Sequence, residues 1–401
     1  METQRLAGND IARLWMIGGA NNVVRWLELL AAALFTFELT GSGFAVAAVT
    51  AARTLPMMMF GAFAGVISDA IDRKRIIMVG MLITATLSAT ICGLGLAGLA
   101  QPWHVGIAAF LCGTVWSTEM SSRRRMVADT AAPGMLARVI AVDSLAGATT
   151  RMVGPLLAGI TYQLGGLAGA YFITTVLSLT NFVLARPIHH HQIPRPLSLS
   201  GVLSDLADGL RAAASIPQVA AVLAVTVAMN LFGFCYSALI APLALKLFAV
   251  PNAMVGVLGA AESAGALLAG AWLTSRTPRM APRTLMISGS ALFTVCLMLL
   301  PLAPGFWSAC LLLLIGGTGT AAFSNMQTLL VMNGAPQAMR SRLLGLITVC
   351  IGTGPLGQLT IGALADGFGL RAAVEIMAGL GLVTILAIGW LWQRVEPRPK
   401  E

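Results

Sequence analysis

Residues 65–75 read Gly65-Val66-Ile67-Ser68-Asp69-Ala70-Ile71-Asp72-Arg73-Lys74-Arg75 and join two long apolar segments. Gly65 would let the first segment, as a helix, approach a neighbouring helix closely. Asp69 would lie at the carboxyl end of that helix, where the helix dipole disfavours a carboxylate unless it has a partner. The basic run that follows is typical of a loop on the cytoplasmic side of a membrane. This stretch therefore predicts a charged turn between two membrane helices.

The composition extends this prediction to the whole chain. Of its 401 residues, 57% are hydrophobic and only 10% are charged, whereas soluble domains carry about 25% charged residues. So few charges cannot cover a surface that faces water, so most of the surface must face lipid. The net charge of +9 is spread in short clusters between apolar runs, which argues against nucleic-acid binding, since that needs a basic patch on one face.

A membrane-spanning helix needs about 20 apolar residues, and twelve segments meet this requirement. The predicted spans are 12–38, 44–68, 76–100, 103–121, 137–163, 167–185, 217–247, 253–275, 283–303, 306–331, 342–365 and 371–393. The expected fold is an all-α membrane protein, with two six-helix halves related by a pseudo-two-fold axis. Both halves carry a Gly-Pro pair, at Gly154-Pro155 and at Gly354-Pro355, as expected of duplicated halves.

The basic residues predict the orientation. Between the spans they lie almost entirely on one side, and the loops on the other side hold only Lys246 and Arg371. Because cytoplasmic loops are enriched in Lys and Arg, we expect a multi-pass protein of a bacterial inner membrane with both termini in the cytoplasm. The expected domains are residues 1–186, a cytoplasmic linker at 187–216 that contains an amphipathic helix, and residues 217–401.

The turn at 65–75 resembles the signature of the major facilitator superfamily, Gly-x-x-x-Asp-Arg-x-Gly-Arg-Arg. Gly65, Asp69, Arg73 and Lys74 match it, whereas Asp72 departs from it, as does the alanine at position 70. The Asp-Arg-Lys-Arg form is similar to the branch that contains the enterobactin exporter and macrolide-efflux proteins. The resemblance covers the whole chain, and it implies that the four matching residues serve conformational switching rather than substrate contact.

The fifth span carries a second motif of this kind. Gly147, Gly154, Pro155 and Gly159 are similar to the antiporter motif of drug exporters, Gly-Pro-x-x-Gly-Gly, with an alanine at position 158 in place of one glycine. The alternative is a proline-kinked packing helix that has no bearing on transport direction. The superfamily's motif in the fourth span, with its central arginine, is not visible.

Charged residues at membrane depth should face the protein interior, because they are costly in lipid. Asn21, Arg25 and Glu28 form one polar stripe on the first span. The predicted substrate-binding residues are Arg25, Asn21, Arg151 and Asn230, and the predicted proton carriers are Glu28 and Glu262. The alternative for the first span is a structural ion pair between Arg25 and Glu28. Two carboxylates near span ends, Glu119 and Asp143, could pair with Arg123 and Arg138.

The expected function is proton-coupled secondary transport by alternating access, in the direction of efflux of a small amphiphilic or anionic compound, siderophore-like or drug-like. A proton-coupled uptake symporter is the alternative, and a non-transporting receptor is the third reading. No nucleotide-binding loop is present in the sequence, so ATP is not expected to drive it directly. We expect no enzymatic activity, cofactor or metal site, and a monomer in the lipid bilayer whose partners are the substrate and protons.

Overall fold

The computed structural model describes residues 2–131, 134–189, 192, 199–275 and 280–395, and a few side chains within its helices, those of Gly65 and Asp69 among them, lie outside the description. The described residues are almost entirely helical and contain no strand. The helices are α1 (Glu2–Thr40), α2 (Gly43–Ala70), α3 (Arg73–Leu96), α4 (Pro102–Thr130), α5 (Leu136–Ala185), α6 (Leu199–Ser215), α7 (Pro217–Ala228), α8 (Ile240–Pro242), α9 (Asn252–Ser275), α10 (Pro282–Leu299), α11 (Phe306–Gly334), α12 (Arg340–Ile351), α13 (Gly354–Phe368) and α14 (Leu370–Val395).

Nine helical stretches in the described part of the chain are long and apolar enough to cross a membrane. One of them, Arg138–Ala185, holds two of the predicted spans and bends between them at Gly166, whose φ of 57° suits glycine. The other two predicted spans correspond to α1 and α4, which are long enough but more polar. Together these helices account for the twelve predicted spans, and the all-α prediction is confirmed.

Two predicted spans are not continuous α-helices. After α7 the helix passes through a π turn at Met229–Gly233 and a 3₁₀ segment at Phe234–Leu239 before α8 and a second π turn at Leu243–Leu247. The predicted span at 342–365 divides into α12 and α13. Pro355 lies in the first turn of α13, where its missing N–H costs no hydrogen bond.

The described residues form two compact units. Unit 1 comprises those of residues 1–40, 52–199 and 251–260, and unit 2 those of 41–51, 200–250 and 261–401. In unit 1, α1 packs along α5 and α3 packs against α4 and α5, and in unit 2, α10 packs against α11 and α14. Residues 41–51 therefore belong to unit 2, and residues 251–260 belong to unit 1. The domain boundaries at 186 and 217 stay a prediction.

Each unit completes itself with a short segment from elsewhere in the chain. In unit 2, Asp366 of α13 caps the start of α2: it accepts hydrogen bonds from the Ser42 hydroxyl (2.5 Å) and the Gly43 N–H (2.7 Å). Such a carboxylate satisfies donors that the first turn of a helix leaves free. In unit 1, Glu38 accepts hydrogen bonds from the Tyr162 hydroxyl (2.6 Å) and from the Asn252 side chain (2.8 Å) at the start of α9.

Candidate functional site

A buried ion pair joins α1 and α2 inside unit 1. Glu28 and Arg53, only 4% and 7% exposed, approach to 2.5 Å between Oε2 and Nη1. The Ser88 hydroxyl of α3 donates to the other carboxylate oxygen of Glu28 at 3.1 Å. The partner of Glu28 is therefore Arg53, and the ion pair considered between Glu28 and Arg25 is wrong.

Arg25 is oriented differently, because its guanidinium group stacks on an aromatic ring of α4. Its central carbon lies 4.3 Å from the centre of the Trp116 ring and 5.8 Å from that of Trp26. Among the described residues no carboxylate lies within ion-pair distance of Arg25, and the like charges of Arg53 and Arg151 act on it. Arg25 is thus a half-buried cation without a counter-ion in this part of the chain.

A second polar group lies one helical turn beyond Trp116. Glu119 is 8% exposed and accepts a hydrogen bond from the Asn21 side-chain amide, while Asn181 donates to the Asn21 oxygen at 2.7 Å. The residues lining a cavity at this level include Asn21, Arg53, Thr84, Trp116, Ser178 and Glu119. The proposed pairing of Glu119 with Arg123 is wrong, since Arg123 forms a two-bond ion pair with Asp143, at 2.5 and 3.2 Å.

The remaining predicted binding residues are more dispersed. Arg151 is exposed on α5. In unit 2, Asn230 lies in the π turn after α7, and its side chain donates to the Thr226 carbonyl of its own helix at 2.9 Å. Glu262 of α9 accepts a hydrogen bond from the Tyr236 hydroxyl at 2.8 Å. The side-chain amide of Asn230 therefore donates a hydrogen bond within its own helix, whereas Glu262 has a neutral hydrogen-bond partner.

The turn at 65–75 is held by a network that the sequence only partly indicates. Arg73 pairs with Asp129 of α4 at 2.6 Å, and Lys74 donates to the Arg186 carbonyl at 2.7 Å. Asp72, which departs from the signature, caps α3 by accepting from the Arg75 N–H at 2.9 Å. The predicted roles of Gly65 and Asp69 concern contacts that lie outside the described part of the structure.

Gln192 is a residue of this turn that sequence reasoning missed. Its amide donates to the Ser68 carbonyl at 3.0 Å, and its oxygen accepts from the Arg73 N–H at 3.1 Å. It thereby satisfies one carbonyl in the last turn of α2 and the first amide of α3, groups that have no partner within their own helix. A glutamine in a polar segment gives no pattern from which this contact could be found.

The antiporter-like motif is a packing surface on α5. A Cβ atom at Gly154 would lie 2.8 Å from the Cβ of Trp26 on α1, and one at Gly159 would lie 2.8 Å from the Ala253 carbonyl of α9. On the facing helix, Gly256 lies against the Pro155 carbonyl. At Gly147 the nearest atom is 4.0 Å away. Two of the four motif residues, Pro155 and Gly159, thus bring the backbones of α5 and α9 close together, and Gly154 packs against the side chain of Trp26.

Buried charges inside a bundle of glycine-packed, proline-interrupted membrane helices define a polytopic membrane transporter. The chain belongs to the transmembrane secretion effector family of the major facilitator superfamily, whose family model matches residues 5–397. No curated protein sequence matches the chain.

Solved transporter structures share the fold. A bacterial homolog of the human lysosomal transporter Spinster, inward-facing and unoccupied, has a TM-score of 0.76 and 15% identity, with 97% of both chains covered. The nucleoside transporter NupG has a TM-score of 0.68 and 14% identity, covering 96% of this chain and 99% of its own. A human organic anion transporter has a TM-score of 0.64 and 15% identity, covering 97% and 100%. The family and these neighbours are membrane transporters and not enzymes.

Proposed function

We propose that this transporter secretes a small amphiphilic or anionic compound, siderophore-like or drug-like, across a bacterial inner membrane in exchange for protons. Alternating access would move the substrate past a central site. The family's description as secretion effectors supports this direction, and so does the sequence resemblance to the enterobactin exporter and macrolide-efflux branch. The four residues of the turn at 65–75 would serve the conformational switch.

The proposed substrate class rests on Arg25, whose guanidinium group stacks on Trp116 and has no carboxylate partner among the described residues. A guanidinium group offers a planar fork of donors that fits carboxylate or catecholate oxygens. Trp116, on which it stacks, offers an aromatic face for an apolar ring of the same ligand. Arg151 and Asn21 lie on the same unit as Arg25 and would add polar contacts, and Asn230 stays a predicted substrate-binding residue.

Proton transport needs a carboxyl group that can change its charge inside the protein. Glu28 and Glu262 are the two carriers that the sequence nominates. Glu262 suits this role because its partner is the neutral hydroxyl of Tyr236. Glu28 would have to leave Arg53 when protonated.

Uptake together with a proton is the alternative function. A proton bound to a carboxyl near Arg25 adds positive charge where an anion would bind, which favours joint movement of the two in one direction. Flux measured in everted and in right-side-out membrane vesicles separates efflux from uptake.

Replacing Arg25 tests the proposal. In proteoliposomes with a pH gradient, we expect the wild type to transport radiolabelled 2,3-dihydroxybenzoate, and Arg25→Gln to bind it about ten- to hundredfold more weakly, because a hydrogen bond to a charged group contributes about 1.5–3 kcal/mol. The matched control is Arg394→Gln, since Arg394 also stacks on a tryptophan, Trp390, at 3.6 Å, but near the end of α14. If Arg25→Gln bound and transported the compound as well as Arg394→Gln does, Arg25 would be excluded as a substrate-binding residue.

A further inference from the structure

We propose that Glu119 of α4, rather than Glu28, is the carboxyl group of unit 1 that takes up and releases the transported proton. This inference rests on the proton coupling proposed above. Its starting point is the contrast between two buried carboxyl groups in one helical bundle, one with a cationic partner and one without.

Glu28 is committed to a cation. Arg53 lies 2.5 Å from one of its oxygens, and the Ser88 hydroxyl donates to the other. Protonation of Glu28 would leave the buried guanidinium of Arg53 without its counter-charge, which is strongly unfavourable. Glu28 is therefore poorly suited to exchange a proton in each transport cycle.

Glu119 has no such constraint, because each cation that acts on it already has another partner. The two arginines concerned are Arg53 of α2 and Arg123 of α4. Arg53 pairs with Glu28, and Arg123 pairs with Asp143 of α5 at 2.5 Å. Among the described residues, no cation lies within ion-pair distance of Glu119. A proton on Glu119 would therefore leave both ion pairs intact.

The hydrogen bonds around Glu119 suit a group that changes its charge. Asn181 donates to the Asn21 oxygen, which fixes the Asn21 amide so that its N–H groups point towards Glu119. The second carboxyl oxygen, Oε2, faces α3 at Gly80, 3.8 Å from where a Cβ atom would lie. One oxygen thus has a fixed neutral donor, and the other is left for the proton.

Other charged and polar groups line this cavity or contact the residues that line it. From α1 they are Arg25 and Glu28, from α2 Arg53, from α3 the hydroxyl of Thr84, from α4 Cys112 and Arg123, and from the second half of α5 Ser178 and Asn181. Protonation forms an O–H bond on Glu119 and breaks one O–H bond of a hydronium ion, which leaves as water. The reverse step restores the carboxylate, so each cycle carries one proton.

Glu119 is also placed to sense the substrate. Trp116 and Glu119 are three residues apart on α4 and so lie on the same face of the helix. Trp116 carries the guanidinium of Arg25 at 4.3 Å. A substrate bound to Arg25 and a proton bound to Glu119 would thus share one turn of one helix, which couples their binding electrostatically.

Infrared difference spectroscopy tests the proton site without any substrate. In reconstituted protein taken from alkaline to acidic pH, we expect the C=O stretching band of a buried protonated carboxyl group in the wild type. The band should disappear in Glu119→Gln and shift in Glu119→Asp. It should persist in the control Glu375→Gln, a carboxyl group of α14 in unit 2. A band that is missing from the wild type, or unchanged in both Glu119 variants, would overturn the proposal; if Glu119→Gln does not fold, Glu119→Asp alone decides.

Transport assays then separate this inference from the proposed function. With 2,3-dihydroxybenzoate as the probe, Glu119→Gln should keep exchange of labelled for unlabelled compound across the membrane but lose accumulation driven by a pH gradient. Gradient-driven accumulation by Glu119→Gln at the wild-type rate would exclude Glu119 as the carrier. A wild type that shows neither activity would instead contradict the proposed function, and the infrared result would still decide whether Glu119 binds a proton.

Discussion

Arg53 provides the counter-charge that Glu28 needs inside unit 1. Both side chains are almost fully buried, and removal of one partner of a buried ion pair costs about 3–5 kcal/mol because the other charge is left unpaired. The pair connects α1 to α2, and Ser88 extends it to α3. At the scale of single residues, loss of either partner should therefore destabilise the folded helices of unit 1.

Exchange of the two charges tests this role. We expect Glu28→Gln to lower the stability of the purified protein by about 3–5 kcal/mol, and the double variant Glu28→Arg with Arg53→Glu to recover both thermal stability and transport. Thermal unfolding in detergent and proteoliposome flux measure the two properties. The control Arg211→Gln breaks the exposed pair with Asp208 and should change stability by less than about 1 kcal/mol. A swapped protein that folds but does not transport would return Glu28 to the role of proton carrier.

The sequence predicts that charges in the spans face the interior, but not which charges meet. Arg25 and Glu28 lie close together on one helix, which made them the natural pair. The orientation of the Arg25 side chain towards Trp116 and the depth of Arg53 on α2 depend on how three helices pack. The sequence also places Glu119 near a helix end, because the predicted span ends at residue 121. In the structure α4 runs nine residues further, to Thr130, so Glu119 lies well inside the helix.

At the scale of helices, α5 is shaped by where its glycines lie. Gly154 and Gly159 face other helices closely, whereas a Cβ atom at Gly147 would meet only the Asn22 side-chain nitrogen, at 4.0 Å. The sequence predicted a proline-containing helix with close packing here, and the contacts with α1 and α9 agree with that reading. Whether the motif also sets the direction of transport stays a prediction.

Alanine substitutions along this motif should separate packing from helix propensity. Gly154→Ala and Gly159→Ala should each destabilise the protein by about 1–3 kcal/mol, because the added Cβ overpacks a contact with Trp26 or with the Ala253 carbonyl. Gly147→Ala is the internal control, and it should be neutral or stabilising by up to about 1 kcal/mol, since alanine favours helix and the nearest atom, the Asn22 side-chain nitrogen, lies 4.0 Å from the added Cβ. Thermal unfolding of the three variants in detergent measures this. Equal effects at all three positions would contradict the packing interpretation.

At the scale of the whole molecule, the basic residues predict the orientation in the membrane. We expect both termini and the linker at 187–216 in the cytoplasm, because the basic residues gather on that side. A phosphatase reporter fused after Arg195 should therefore be inactive, and one fused after Lys246 should be active in the periplasm. The reverse pattern would invert the topology.

Much of this architecture follows from hydrophobic segment length and turn residues alone. The break at Gly166 is predicted by the sequence, since glycine marks it, whereas the division of the predicted span at 342–365 before Pro355 is not predicted, although a Gly-Pro pair lies there. The π turns after α7 are not predicted, because residues 217–247 form one apolar segment of spanning length, and Gly233 and Pro242 within it do not specify a change of helical pitch. The exchange of residues 41–51 and 251–260 between the two compact units depends on tertiary contacts that no local pattern encodes.

The polarity of α1 and α4 has a consequence for biogenesis. These two helices carry the buried carboxyl groups Glu28 and Glu119, and they are the predicted spans that fall below the hydropathy of the other stretches. A charged residue at the centre of a helix opposes its entry into lipid by about 2.5–3.5 kcal/mol, and α1 leaves the ribosome before Arg53 and Ser88 have been synthesised. We therefore expect nascent α1 to stay beside the translocon until α2 and α3 arrive to pair with Glu28, so that synthesis order becomes a step in assembly of the polar interior.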